Sequence, residues 1–210
     1  MSFEAIQLRS EGETITAELH GALPARRAAI LVHGTTWDAD GWREVAPRFV
    51  ARGVPALALN LRGHGGSTGT VEEFLPGRPW SPMTDLRTAK AWLRERGVAE
   101  IALVGASLGG HAVLASSFEG DAECLVTVSA PVAPVPDELS RLVRGRVLYV
   151  CADRDRDGAY PNVQASFAAL TVPKTLVVFG GEEHSRAMFA APYGDEMLDV
   201  VARFVAHGLG

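Results

Sequence analysis

The stretch Ile101-Ala102-Leu103-Val104-Gly105-Ala106-Ser107-Leu108-Gly109-Gly110-His111 decides how this chain is read. Its four leading apolar residues predict a short buried strand. Gly105-Ala106-Ser107-Leu108-Gly109 follows, and small residues through Leu114 and Ala115 predict a helix. A Gly-x-Ser-x-Gly placed between a strand and a helix is the context of a nucleophile elbow, a sharp turn that pushes a serine hydroxyl out of the backbone. Neighbouring chain passes so close to such a turn that Gly105 and Gly109 are needed in place of larger residues. The first helical turn then aims N–H groups at any negative charge that forms beside Ser107.

Outward from this stretch the chain alternates. Phe3–Leu8 and Thr14–Leu19 alternate apolar with polar, are joined by Ser10-Glu11-Gly12-Glu13, and predict an exposed antiparallel hairpin. Ala28–Val32, Val54–Leu59, Cys124–Val128, Val147–Val150 and Thr175–Phe179 are apolar runs of strand length. Helices are predicted from about Gly41 to Arg52, from Thr84-Asp85 with the stripe Leu86, Ala89 and Leu93, over Asn162–Leu170, and over Asp195–Ala206. The region from about Thr68 to Pro82 is irregular, contains Trp80, and predicts a surface loop at the rim of a pocket. Pro131, Pro134 and Pro136 leave only a short connection before Val147, with one helical turn near Glu138 to Val143.

The expected fold class is therefore α/β: a mostly parallel twisted sheet of about eight strands with helices on both faces. No repeat or linker interrupts it, so residues 1–210 read as a single domain. Ligands of such sheets bind beyond the carboxyl ends of the strands.

Composition narrows the function. The 210 residues are 47% apolar and 21% charged, as in an ordinary globular chain, and the formal net charge of -5 argues against a nucleic-acid partner. Met1 to Ile6 lacks the basic and apolar regions of a secretory signal, and no apolar run reaches membrane-spanning length. A cytoplasmic location and no membrane partner are expected. Cys124 and Cys151 sit in strand-like contexts and read as buried free thiols. Structural-zinc spacing is absent, so neither metal nor cofactor is expected.

The residues just past the strands carry the chemistry. A serine hydroxyl needs a base, and His184, after the last strand, is the candidate for Ser107. That base needs an acid to fix its tautomer, and Cys151-Ala152-Asp153-Arg154-Asp155-Arg156-Asp157 offers three. Asp155 is preferred, then Asp153, then Asp157; those unused are expected to pair loosely with Arg154 and Arg156. An oxyanion needs two backbone donors: the N–H of Leu108 and one from the loop after Ala28–Val32, assigned to Thr35 with Thr36 next. His33 and His64 read as structural hydrogen-bonders. Thr36, Trp37 and Trp80 are the candidate substrate-binding residues; plain packing competes for Trp37, Trp42 and Trp80.

Together these residues resemble the α/β-hydrolase superfamily over essentially the whole chain. The carriers are His33-Gly34, Leu61-Arg62-Gly63-His64-Gly65-Gly66-Ser67, Asp85-Leu86-Arg87, Gly105-Ala106-Ser107-Leu108-Gly109, the aspartate-rich loop and His184. The family's acid follows a pattern like Gly/Ala-x-x-Asp, which Ala152-Asp153-Arg154-Asp155 matches and which favours Asp155. Its base lies in Gly-x-x-His-Gly; here Gly181-Glu182-Glu183-His184-Ser185 lacks the last glycine. Glu182 and Glu183 would make the base stronger if they point inward. Many relatives insert a lid after the sixth strand, for which Pro131 to Arg146 is too short. The resemblance implies a compact, lidless serine hydrolase with an open site, acting on small-molecule esters or thioesters of small to medium acyl groups through an acyl-enzyme. Serine at the elbow disfavours dehalogenases and epoxide hydrolases, which use Asp there, and dienelactone hydrolases, which use Cys. The competing readings are a non-catalytic ligand-binding protein of this fold, and an acyltransferase or cofactor-free lyase with the same residues.

Overall fold

Apolar runs become strands, and Gly- or Pro-marked junctions become turns, in the computed structural model, which describes residues 2–75, 80–116, 119, 121–130 and 145–209. The strands are β1 (Glu4–Ser10), β2 (Glu13–His20), β3 (Arg27–Val32), β4 (Ala56–Leu59), β5 (Glu100–Ala106), β6 (Cys124–Val128), β7 (Arg146–Ala152) and β8 (Lys174–Phe179). They form one sheet in the order β1-β2-β4-β3-β5-β6-β7-β8. β2 is antiparallel to β1 and to β4; every other pairing is parallel. The β1–β2 hairpin turns at Glu11 (φ 48°) and Gly12 (φ 89°), the doubly left-handed geometry that matches strand twist.

The α-helices are α1 (Ala46–Val50), α2 (Ser81–Glu95), α3 (Leu108–Ser116), α4 (Ala159–Ala169) and α5 (Gly194–Gly208). Helices α2, α3 and α4 cover one face of the sheet, where Leu86, Leu93, Val113 and Val163 meet Ile101 and Leu103 of β5. Helices α1 and α5 cover the other, where Phe49, Met197, Val201 and Val205 meet Ala102 and Val104. Alternate residues of β5 thus serve two cores, which is why the strand is apolar throughout.

Proline accounts for four of the shifted boundaries. The helix expected over Gly41–Arg52 is split into a 3-10 turn, Ala39–Trp42, and α1, because Pro47 offers no N–H to continue the ladder. β4 begins after Pro55 rather than at Val54. α2 and α4 begin earlier than expected, at Ser81 and Ala159, because Pro82 and Pro161 fall in first turns, where a missing N–H costs nothing. A 3-10 segment over Ser185–Ala190 directly after His184 was not foreseen. The turn expected near Glu138 to Val143, with Pro131, Pro134 and Pro136, lies outside the described residues.

Cys124 and Cys151 are buried free cysteines whose thiols burial pushes up to about 12, so they are packed and unreactive. Among the described residues no helix is long and apolar enough to cross a membrane. Because β3 to β8 run parallel, the segments after β3, β5, β7 and β8 emerge at the same edge of the sheet.

Candidate active site

Ser107 occupies the left-handed region, φ 51°, at the β5–α3 junction. Its N–H donates to the Val128 carbonyl at 2.8 Å, and its own carbonyl accepts from the His111 N–H at 3.1 Å. The turn closes only with glycines. A Cβ on Gly105 would lie 2.2 Å from the Gly109 carbonyl oxygen, and one on Gly109 would lie 2.3 Å from that of Val32. Both obstacles are backbone and do not move aside.

The turn after β7 is made differently. The β7–β8 pairing runs on past the strands, with the N–H groups of Asp153, Arg154 and Arg156 donating to the carbonyls of Phe179, Gly181 and Glu182. This sets the aspartate-rich loop beside the loop that carries His184. Nδ1 of His184 lies 2.9 Å from both carboxylate oxygens of Asp155, and Nε2 lies 2.9 Å from Ser107 Oγ. With the proton on Nδ1, the ring donates to Asp155 and accepts from the Ser107 hydroxyl. Burial would raise the Asp155 carboxyl, but the hydrogen bonds from His184 and Ser129 outweigh it and hold it below the usual range.

The other acids are placed otherwise than the sequence suggested. Asp153 accepts the Gly181 N–H at 3.0 Å. Asp157 Oδ2 stands 3.4 Å from His184 Nε2. Neither is held by Arg154 or Arg156: Arg154 faces Glu182 at 3.8 Å, and Arg156 Nε donates to the Glu182 carbonyl. Glu183 accepts from the Tyr193 hydroxyl at 2.9 Å and from the Glu182 N–H at 3.1 Å. The acidic neighbours that do reach His184 come from the β7 loop. Ser185, where the motif has glycine, is itself left-handed (φ 54°), the conformation a glycine would supply without strain.

The loop after β3 abuts Ser107: a Cβ on Gly34 would lie 3.2 Å from Ser107 Cβ. Leu108 opens α3, so its N–H has no acceptor within the helix. Thr35 and Thr36 are exposed next to Gly34. His33 is fully buried, with Nδ1 2.7 Å from the Gly34 carbonyl and Nε2 accepting from the Leu61 N–H at 3.0 Å; burial lowers it to about 4, so it stays neutral. His64 places Nδ1 3.0 Å from the Arg62 carbonyl and Nε2 2.9 Å from that of Thr35. Arg62 Nε donates to Asp85 Oδ1 at 3.0 Å, tying this loop to α2. Ser67 donates to the Asn60 carbonyl at 2.9 Å. These motif residues hold loops in place.

A cleft of about 410 Å³ contains Ser107 and His184 and is lined by Thr35, Thr36 and Trp37 from the β3 loop and by Arg156, Asp157 and Arg186. The sequence reading assigned no role at the site to Arg156, Arg186 or Ser185; the two arginines flank residues already singled out, and only that adjacency signalled them. Trp80 does not reach the cleft. It is buried, donates Nε1 to the Glu72 carbonyl at 3.0 Å, and packs on Phe74 and His111. Trp42 is likewise core, against Trp37 and Phe189.

A strained serine, a histidine and a buried carboxylate joined by hydrogen bonds beyond parallel strands define a class of site, and sequence comparison supplies the family. The model of the Alpha/beta hydrolase family matches residues 29–208, and the chain belongs to that family. No curated protein matches it significantly. Among solved structures, an esterase from Pyrococcus furiosus is similar with a TM-score of 0.82 at 17% identity, over 100% of this chain and 93% of that one. A predicted CIB-like hydrolase from Thermoplasma acidophilum has a TM-score of 0.80 at 16% identity over 99% of both chains. Est1E from Butyrivibrio proteoclasticus has 0.76 at 15%, over 97% of this chain and 98% of that one. The α/β-hydrolase fold is common to this chain and these structures.

Proposed function

We propose that the protein is a serine hydrolase of carboxylic esters or thioesters with small to medium acyl groups. Ser107 attacks the carbonyl carbon while His184 Nε2 takes its proton. Asp155 holds Nδ1 and stabilises the imidazolium. The N–H groups of Leu108 and Thr35 receive the oxyanion. The imidazolium returns its proton to the leaving alcohol or thiol, and His184 then deprotonates the water that frees the acid. The observation that carries this reading is the unbroken line Ser107 Oγ–His184–Asp155, each link 2.9 Å. The family and the esterases among its structural relatives support it. The modest cleft with charged residues on its walls suits a short or polar acyl group, with Thr36 and Trp37 offered to it. A fluorophosphonate probe should label Ser107, and Ser107→Ala should abolish p-nitrophenyl acetate turnover. Unlabelled, or fully active S107A protein, overturns the assignment.

A further inference from the structure

We propose that Asp157 is a second carboxylate partner of His184, acting on the reactive edge of the ring as a positioning residue. The inference rests on the reading of Ser107 and His184 as nucleophile and base. Its observation is that Nε2, the nitrogen 2.9 Å from Ser107 Oγ, is also 3.4 Å from Asp157 Oδ2. The imidazole thus lies between Asp155 at one edge and Asp157 at the other.

The placement is built into the turn. The Asp157 N–H donates to Asp155 Oδ1 at 3.0 Å, and the Gly158 N–H to the Asp155 carbonyl at 2.9 Å. Gly158 takes φ 71° at the end of the turn. The same bonds that fix the buried carboxylate therefore set the position of the exposed one.

The chemistry follows from the proton. In the resting ring Nε2 accepts from Ser107, and a carboxylate at 3.4 Å acts on it only through charge. Once Nε2 holds the Ser107 proton, that N–H faces both the substrate's leaving oxygen or sulfur and Asp157 Oδ2. The proton still leaves with the alcohol or thiol. A neighbouring negative charge favours a charged ring over a neutral one, so exchanging Asp157 for a neutral residue is read in the pH dependence of the reaction. Arg156 and Arg186 line the same cleft and oppose this field; Asp155 reinforces it. On the base's own loop Glu183 is held by Tyr193, and Glu182 faces Arg154. The Asp157 side chain is 60% exposed, so water screens the interaction.

The test is the rate of fluorophosphonate labelling of Ser107 against pH. Asp157→Asn should move the acid limb down by about half a unit to one unit. Asp157→Glu should bring it back toward the wild-type position. Asp153→Asn, which removes a charge of the same loop that accepts the Gly181 N–H, should leave it in place. Coincident wild-type and D157N limbs overturn the proposal, as does an equal shift in D153N, which would mark a general effect of loop charge. Wild-type protein that labels at no pH overturns the underlying assignment of Ser107, and this inference with it.

Discussion

The turns after β5 and after β7 deliver the two ends of the same hydrogen-bond line by opposite means. The first is steric. Gly105 and Gly109 let backbone pass where a methyl group would stand 2.2 to 2.3 Å from a carbonyl oxygen, and Ser107 is forced to φ 51°. The second is electrostatic. Asp155 gathers N–H donors from its own turn and from His184, and Asp157 approaches the far edge of the ring. A steric turn is indifferent to pH and intolerant of added volume; a polar turn tolerates volume and answers to charge.

The largest effect should come from the polar turn's buried acid. Asp155→Asn should lower kcat by about 10⁴-fold, because the ring loses the partner that fixes its tautomer, while Asp153→Asn should change it little. Ester hydrolysis assays on both variants check this, and the reverse ranking would move the acid to Asp153. Next, Gly105→Ala or Gly109→Ala should cost about 3 kcal/mol or more of stability, since the obstructing atoms are backbone. Urea titration should find that deficit equal at pH 5 and pH 8; a deficit that varied with pH would blur the distinction between the two turns.

A smaller effect separates the turns by titration. Asp155 is held below its ordinary value, so it contributes stability that is full above the unfolded carboxylate range, about pH 4, and is lost as pH falls through its lowered folded value. The gap in melting temperature between wild type and D155N should therefore narrow on going from pH 6 to pH 3; a constant gap would show that the carboxylate is not favoured in the folded state. The smallest effect concerns Ser185, left-handed and with a buried hydroxyl that has no hydrogen-bond partner among the described residues. Ser185→Gly should stabilise by about 1 kcal/mol or less, because relief of the left-handed strain is partly offset by glycine's backbone entropy. Calorimetry should show a rise of about 2–4 °C at most.

Much of this was legible before any coordinates. The apolar runs fixed strand number and the two-faced sheet, and Gly-Ala-Ser-Leu-Gly fixed the elbow, because both depend on local sterics and period. Strand order plus the motif pattern singled out Ser107 and His184 and favoured Asp155 without excluding Asp153 or Asp157. The fate of the tryptophans was not legible: an indole ring suits a core and a pocket wall equally well, and only packing sent Trp80 and Trp42 to the core while Trp37 faces the cleft. The helix boundaries were missed where proline acts as a starter rather than a breaker, at Pro82 and Pro161.

By itself, then, the sequence determined the order of elements, the strained serine and the chemical types gathered at one sheet edge, because each is written in neighbouring residues. Which of three aspartates reaches which nitrogen of His184 was decided only by the tertiary structure. That choice turns on how the β7 and β8 loops align across the gap between them, and a displacement of two residues in that pairing would put Asp153 or Asp157 where Asp155 stands without changing the composition of the loop.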